Sequence, residues 1–276
     1  MTIDDLKRIQ AIAKDILADI DRVCKKNGIE YYLMYGTLLG AVRHGGIIPW
    51  DDDIDIGMTR ENYLKFLDIA SKELDPRNEI VVMGSGSRRY LSELKIGRKG
   101  TKYYISGTED LKVMDRVSVD IYLLDLIKPA AIDNARRRKI KKYLILTKLN
   151  WDEKRLIMRM MDIGHRRWRS AYKAGLILLH CIRAVLGEKF FERVIYLMFV
   201  DETGRSNRIG AALSYGTKTW DKNDGTVELE FDGHFYPAPA SYNEILKSTY
   251  GNYMAFPPEE KRYKKHFQDW VFEEHT

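Results

Sequence analysis

The segment that most limits the fold is Ile48-Pro-Trp-Asp-Asp-Asp-Ile-Asp-Ile-Gly57, which sets four carboxylates inside five positions, directly behind the glycine-rich stretch Tyr35-Gly-Thr-Leu-Leu-Gly-Ala-Val-Arg-His-Gly-Gly46. Ile54, Ile56 and Met58 alternate with Asp53, Asp55 and Gly57, the period-two pattern of a half-buried strand. On a continuous strand Asp51, Asp53 and Asp55 share one face and Asp52 takes the other. Like charges so close raise the free energy of the ionised site unless a cation offsets them. Such a strand is expected to border a cleft, with a divalent metal as its guest. Spacing alone does not make the case. Asp19 and Asp21 repeat it within a helical pattern, where i and i+2 do not face each other, and are expected to be solvated.

The rest of the chain supplies the frame. Apolar residues from Leu6 to Cys24 recur at helical spacing, and Asn27-Gly28 supplies a stop. Ile29 to Tyr35 reads as a strand, Thr37 to Arg43 as a short helix, and Gly45-Gly46 as the turn into the acidic strand. Thr59 is expected to cap a helix reaching about Leu74. Strand-like segments follow at Glu79–Met83, Leu91–Arg98, Lys102–Ile105 and Val117–Leu124. From Ala131 to about Val200 the pattern turns to long helices with basic runs at Arg136–Lys142 and His165–Arg169. Beyond Asp201 come strands at Val227–Phe231 and His234–Tyr236 around an Asp232-Gly233 turn, then a capping box, Ser241-Tyr-Asn-Glu244, opening a helix that stops near Gly251. The expected fold is mixed α/β (α+β): residues 1–130 form a core with an N-terminal helix, 131–200 a basic helical insertion, and 201–276 the segment that completes the core.

A chain of 276 residues with 45% apolar content can bury a substantial core. The formal charge of +6 suits an anionic partner: nucleotide, phosphopolymer, nucleic acid or membrane surface. Cys24 and Cys181 are too isolated for a disulfide framework and are expected as two buried free thiols in a reducing compartment. The N-terminus lacks the basic and apolar regions of a signal peptide. The most apolar stretch, Gly175–Gly187, is too short to span a bilayer and is interrupted by His180 and Arg183. A cytoplasmic protein is expected, in peripheral contact with the inner face of the membrane.

Gly36 and Thr37 at a helix start offer backbone N–H groups and a hydroxyl to an anion, a phosphate cradle one turn ahead of the acidic strand. Asp53 and Asp55, joined by Asp120 from an otherwise apolar run, can hold Mg²⁺ with oxygen ligands. A protonated or Arg-paired core Asp is the other reading of Asp120. Arg43, His44 and Lys95 are candidate phosphate contacts, with His234 and His266 weaker ones. Asp120 or Asp51 could accept a proton from an attacking hydroxyl.

Tyr35 to Ile56 closely resembles the signature of the LicD family, which includes fukutin-type phosphotransferases. Val119-Asp-Ile-Tyr-Leu-Leu-Asp125, Phe231–Pro239 and Tyr250–Arg262 agree with it. The resemblance implies a nucleotidyltransferase-like mixed sheet, Asp53 and Asp55 as metal ligands with Asp120 as the third carboxylate, and Gly36-Thr37 at the phosphates. It implies Mg²⁺, or Mn²⁺ in its place. The implied reaction moves phosphocholine from CDP-choline, or the group of another CDP-alcohol, onto a sugar of a teichoic acid, capsule or lipopolysaccharide precursor. Trp50, Tyr104, Tyr122 and Trp220 are the aromatics available to a choline cation. The basic middle region is expected to meet a lipid-linked or polyanionic acceptor. Nucleotidyl transfer to RNA or another small acceptor, and a non-catalytic protein retaining the fold, are the competing readings. Among the basic stretches no nucleic-acid-binding signature occurs, so no nucleic-acid partner is expected.

Overall fold

The computed structural model describes residues 1–83, 93–105, 116–132, 135–149, 151–152, 154–155, 157, 169–212, 219–262 and 270–274. Helix α1 (Ile3–Asn27) forms because Leu6, Ile9, Ala13, Ile16, Leu17 and Ile20 fall on one buried stripe. Thr2 caps it reciprocally: its Oγ1 accepts the Asp5 N–H, and the Asp5 carboxylate accepts the Thr2 N–H. Gly28 ends it at φ 58°, a left-handed conformation that glycine adopts without strain.

The following strand β1 is only Tyr32–Leu33, and Tyr35–His44 is helix α2. The expected strand over Ile29–Tyr35 is therefore cut short where the helix begins. Strand β2 (Ile54–Thr59) leads to helix α3 (Arg60–Glu73). Thr59 stands at the N-cap of α3 without a side-chain capping bond. Strands β3 (Asn78–Met83), β4 (Glu93–Arg98), β5 (Thr101–Ile105) and β6 (Ser118–Leu126) follow. The chain then becomes helical: α4 (Pro129–Ile132), α5 (Ala135–Lys148), α6 (Arg169–Leu186) and α7 (Glu188–Phe199). It closes with β7 (Arg208–Gly210), β8 (Thr219–Asp221), the hairpin β9 (Thr226–Phe231) and β10 (His234–Pro239), helices α8 (Tyr242–Tyr250) and α9 (Glu259–Arg262), and β11 (Trp270–Glu274).

Among the described residues one mixed sheet runs β1-β2-β6-β4-β3, with β7 and β8 continuing from β6. The β2–β6 pair is parallel and the other pairs are antiparallel. Register lines up Ile54, Val119 and Ile96 in one row and Ile56, Ile121 and Leu94 in another. All six are fully buried in one core with α1 and α3. The hairpin β9–β10 joins that core through Phe231, Tyr236 and Ala238, turning through Asp232 at φ 52° and Gly233 at φ 80°. A separate apolar cluster, including Ile145, Ile195 and Phe199, holds α5 and α7 together.

Several expectations are corrected. Strand β2 is buried on both faces and not half-buried, because β1 and β6 flank it and α2 covers its far side. Cys24 is buried, but Cys181 is exposed, since the stripe of α6 that carries it faces outward. Ser241 sits at the N-cap of α8 with ψ 22°, outside the extended conformation a capping box needs, and its buried Oγ has no partner. Asp19 and Asp21 are largely withdrawn from solvent and hydrogen-bonded. His266 and most of the basic run His165–Arg169 lie outside the described residues. Among those that are described, no helix is long and apolar enough to cross a membrane.

Candidate active site

Strand register assembles the chemistry. Parallel pairing sets Asp55 of β2 beside Asp120 of β6, and antiparallel pairing sets Asp120 beside Lys95 of β4. Neighbours across a sheet share a face, so these three stand in one row, opposite the apolar rows that meet α1. Lys95 Nζ donates to Asp120 Oδ2 at 2.8 Å. Asp120 is thus neither bare nor paired with arginine, and Lys95, expected at a phosphate, is engaged with a carboxylate. The next row on this face holds Gly57, Tyr122 and Glu93. A Cβ on Gly57 would lie 2.9 Å from Leu124 Cδ1, which leaves that position to glycine.

Asp51, Asp52 and Asp53 precede the strand in a loop. A turn closed by the Asp51 N–H on the Ile48 carbonyl, 2.9 Å, starts it. Gln10 Nε2 holds it from α1, reaching the carbonyls of Ile48 at 3.2 Å and Asp51 at 2.8 Å. Strand alternation therefore begins at Ile54, and Asp52, expected on the opposite face, converges with its neighbours. One carboxylate oxygen from each of Asp51, Asp52 and Asp53 lies within 4.8 Å of the others. Asp52 also accepts from the Tyr103 hydroxyl.

Helix α2 locks against this cluster. The space a Cβ on Gly36 would fill is closed by Asp51 Oδ2, 2.7 Å away, so glycine admits that carboxylate to the first turn of the helix. Thr37 is buried, and its Oγ1 accepts the Asp55 N–H at 2.7 Å, tying the helix start to the acidic strand.

The five carboxylates act on one another. Asp53, although open to solvent at its rim, has its carboxyl pushed up to about 7 by the protein packed around it and then by the charges of Asp51, Asp52 and Asp120. Asp55 is buried and raised well above the carboxylate range, first by desolvation, then by Asp53, Asp120 and Asp51. Lys95 offsets part of both shifts. Asp55 Oδ1 is buried with no hydrogen-bond partner. An orphaned buried carboxylate oxygen, in a set of oxygen donors that repel one another, is the donor chemistry a hard divalent cation takes. Among the described residues the three carboxylates gathered closely enough to hold one are Asp51, Asp52 and Asp53; the expected trio of Asp53, Asp55 and Asp120 is not drawn together to that degree, and Asp55 and Asp120 stand in the adjoining strand row.

The remaining candidates separate. Arg43 Nη1 donates to the carbonyls of Tyr253 at 2.9 Å and Ala255 at 3.3 Å, and its guanidinium lies 5.2 Å from the centre of the Phe256 ring. His44 packs edge-on against Trp50 and Phe256, and is pushed below its ordinary range by burial and by Arg43. Trp50 carries the Arg262 guanidinium at 5.3 Å. His234 is not brought to the acidic row; it lines a separate depression with Lys14, Asp15 and Tyr236. Trp220 is buried against Tyr32, and the Tyr104 hydroxyl donates to Glu273, so neither faces the carboxylates. Tyr122, on the face of Asp120, meets Tyr35 edge-on at 5.0 Å.

Two residues escaped sequence reasoning. Gln10 is a polar residue on the apolar stripe of α1, and that placement was the signal. Tyr250 has its phenol pushed up to about 12 by burial and then by Asp55, Asp51 and Asp53. It opens the Tyr250–Arg262 stretch that resembles the family, but it lies more than 190 positions from the strand and no local pattern marks its approach to the carboxylates.

Residues 28–102, which include α2 and β2, match the family described as LicD/FKTN/FKRP, nucleotidyltransferase domain. The chain is 27% identical over 277 residues to the lipopolysaccharide cholinephosphotransferase LicD of Haemophilus influenzae, covering 96% of this chain and 97% of that one. It is 52% identical over 40 residues to the ribitol 5-phosphate transferase FKRP of Homo sapiens, 14% of this chain and 8% of that protein. A third match, 50% identical over 54 residues, is to an uncharacterized protein of Rickettsia typhi, 20% of this chain and 18% of that one.

Proposed function

Because residues 28–102 match the LicD/FKTN/FKRP family and the chain is 27% identical over 96% of its length to a lipopolysaccharide cholinephosphotransferase, we propose that it is a metal-dependent phospho-alcohol transferase. The most specific form of the proposal is transfer of phosphocholine from CDP-choline to a sugar hydroxyl of a bacterial surface glycopolymer or its lipid-linked precursor. The observation that carries it is the row of Asp55 and Asp120, with Asp55 Oδ1 buried and unpartnered beside the converging Asp51–Asp53 loop.

In this reading the acceptor oxygen forms a bond to the phosphorus of phosphocholine as the bond to CMP breaks, and the hydroxyl proton leaves to a carboxylate. Mg²⁺, held by Asp53 and Asp55 with Asp120, would neutralise the charge that grows on the departing phosphate. Asp51, outside the strand row, is the group assigned to take the proton at Oδ2. Lys95, donating to Asp120 Oδ2, holds that carboxylate in place. Gly36 and Thr37 bring the amino end of α2 to the phosphates. Tyr122 is the aromatic surface assigned to the donor's alcohol.

The test is a donor screen with CDP-choline, CDP-ethanolamine, CDP-glycerol and CDP-ribitol in the presence of Mg²⁺, scored by CMP release. Release with one donor and movement of its phospho-alcohol supports the assignment, and silence with all four sinks it. The matched family's nucleotidyltransferase description supports a second reading, transfer of the nucleotidyl group itself. Nucleotide appearing in the acceptor instead of free CMP would select it.

A further inference from the structure

We propose that the outer face of α6 and α7 is a docking surface for an anionic lipid bilayer. Their apolar residues are distributed in the wrong sense for a helix pair that meets only water and its own core. On α6, Leu176 is buried while Ile177, Leu178, Cys181 and Val185 stand exposed, Leu178 at 61% and Val185 at 82%. These four fall within an arc of about 100° on the helix, a continuous stripe turned outward. On α7, Phe191, Ile195 and Phe199 face inward, and Lys189, Phe190, Arg193 and Leu197 face outward. Gly187, at φ 77°, turns one helix into the other, and Arg183 pairs with Glu188 at 2.8 Å across the turn. The corner so formed presents Val185, Leu186 and Phe190 to solvent. Scattered exposed leucines need no explanation, but an apolar stripe running into an apolar corner does.

Charge selects the occupant. Helices α5, α6 and α7 carry twelve lysines and arginines against two glutamates, whereas the whole chain carries 46 against 40. The entire positive excess of the protein therefore resides on this helical region, and the rest of the chain is net acidic. Neither glutamate faces outward unpaired: Glu188 is engaged with Arg183, and Glu192 is buried at 1% exposure. Arg136, Lys139, Lys142, Lys189 and Arg193 are exposed. An apolar stripe continued by an outward face that carries Lys189 and Arg193, in a net-basic helical region, is the pattern of a helix lying in the headgroup region of a membrane with acidic lipids. A second copy of the chain would bring the same positive surface against itself, which charge opposes. The inference rests on exposure and charge, and holds or falls independently of the transferase reading.

Flotation of the whole chain with vesicles of about 30% phosphatidylglycerol in phosphatidylcholine, against phosphatidylcholine alone, tests it. The chain is expected to float with the acidic vesicles and to bind neutral ones at least about tenfold more weakly. Leu178→Asp with Val185→Asp is expected to weaken binding by about tenfold or more while the circular-dichroism melt is unchanged, since both side chains are exposed. Lys189→Gln and Arg193→Gln are each expected to cost about fivefold and to flatten the salt dependence. No flotation with acidic vesicles at low salt would overturn the proposal. So would equal flotation of the aspartate variants, or a solution dimer that those variants dissociate.

Discussion

Asp19 and Asp21 on α1, and Asp53 and Asp55 at the head of β2, share one spacing and differ in every physical respect. Asp19 Oδ1 accepts from Arg22, and its Oδ2 accepts from the Asp75 N–H and from Asn78, both at 2.8 Å. Asp21 Oδ1 accepts from the Tyr31 hydroxyl at 2.7 Å and its Oδ2 from Lys25 at 2.8 Å. Every oxygen of the first pair has a donor supplied by the fold. In the second pair Asp55 Oδ1 has none, and the charges that act on it most are other carboxylates. The first pair is structural because it is satisfied. The second is left unsatisfied, and the distinction lies in donors and not in sequence spacing.

The contrast breaks if the pairs respond alike to mutation. Asp55→Asn is expected to lower CMP release by about 10²- to 10³-fold or more, while the melting temperature holds or rises as repulsion is relieved. A thermal melt and a steady-state assay on one sample read both. Gly36→Ala comes next: its methyl would displace the Asp51 carboxylate, a movable group, so stability should change little while turnover falls about 10- to 100-fold. Asp19→Ala should show the reverse. Turnover per folded molecule stays level while stability drops by about 1–3 kcal/mol as Arg22, Asn78 and the Asp75 N–H lose their acceptor; urea denaturation measures it.

The smallest effect sharpens the comparison through pH. With its carboxyl pushed up to about 7, Asp53 holds a proton in the folded protein that the unfolded chain has already lost. The native state then binds more protons, so metal-free stability should fall as pH rises above about 4, with Asp55, raised as well, adding to the fall in the same direction. Asp53→Asn should make this slope shallower. Added Mg²⁺ should raise the melting temperature of the parent chain above pH 7 but leave that of Asp55→Asn unmoved.

Much of this was legible in the chain. Helix α1, the Asp232-Gly233 hairpin and the strand character of β2 and β6 follow from local periodicity and turn chemistry. So does the membership of Asp55 and Asp120 in one cluster, since a carboxylate inside an apolar run must find a cation. What could not be read depends on register and on distant donors. Lys95 meets Asp120 because β4 and β6 pair antiparallel at one particular offset, which packing decides. The loop at Asp51–Asp53 looks like strand until Gln10 of α1 captures its carbonyls. Cys181 lies in an apolar helix, where burial is the natural expectation, but which side of that helix faces the core is settled by its neighbours.

The clasp at the turn of the C-terminal hairpin sets a schedule. The Asp232 N–H donates to the Gly45 carbonyl at 2.8 Å and its Oδ2 accepts the Ile47 N–H at 3.0 Å, while Arg43 holds the carbonyls of Tyr253 and Ala255. The loop that introduces the acidic cluster is therefore braced by residues made some 180 to 210 positions later. At ribosomal speeds the wait is about 10–40 s, during which Asp51 to Asp55 have left the ribosome but lack their brace. A nascent chain in that interval holds its carboxylates without the frame that aligns them. A chain interrupted before residue 232 should stay inert.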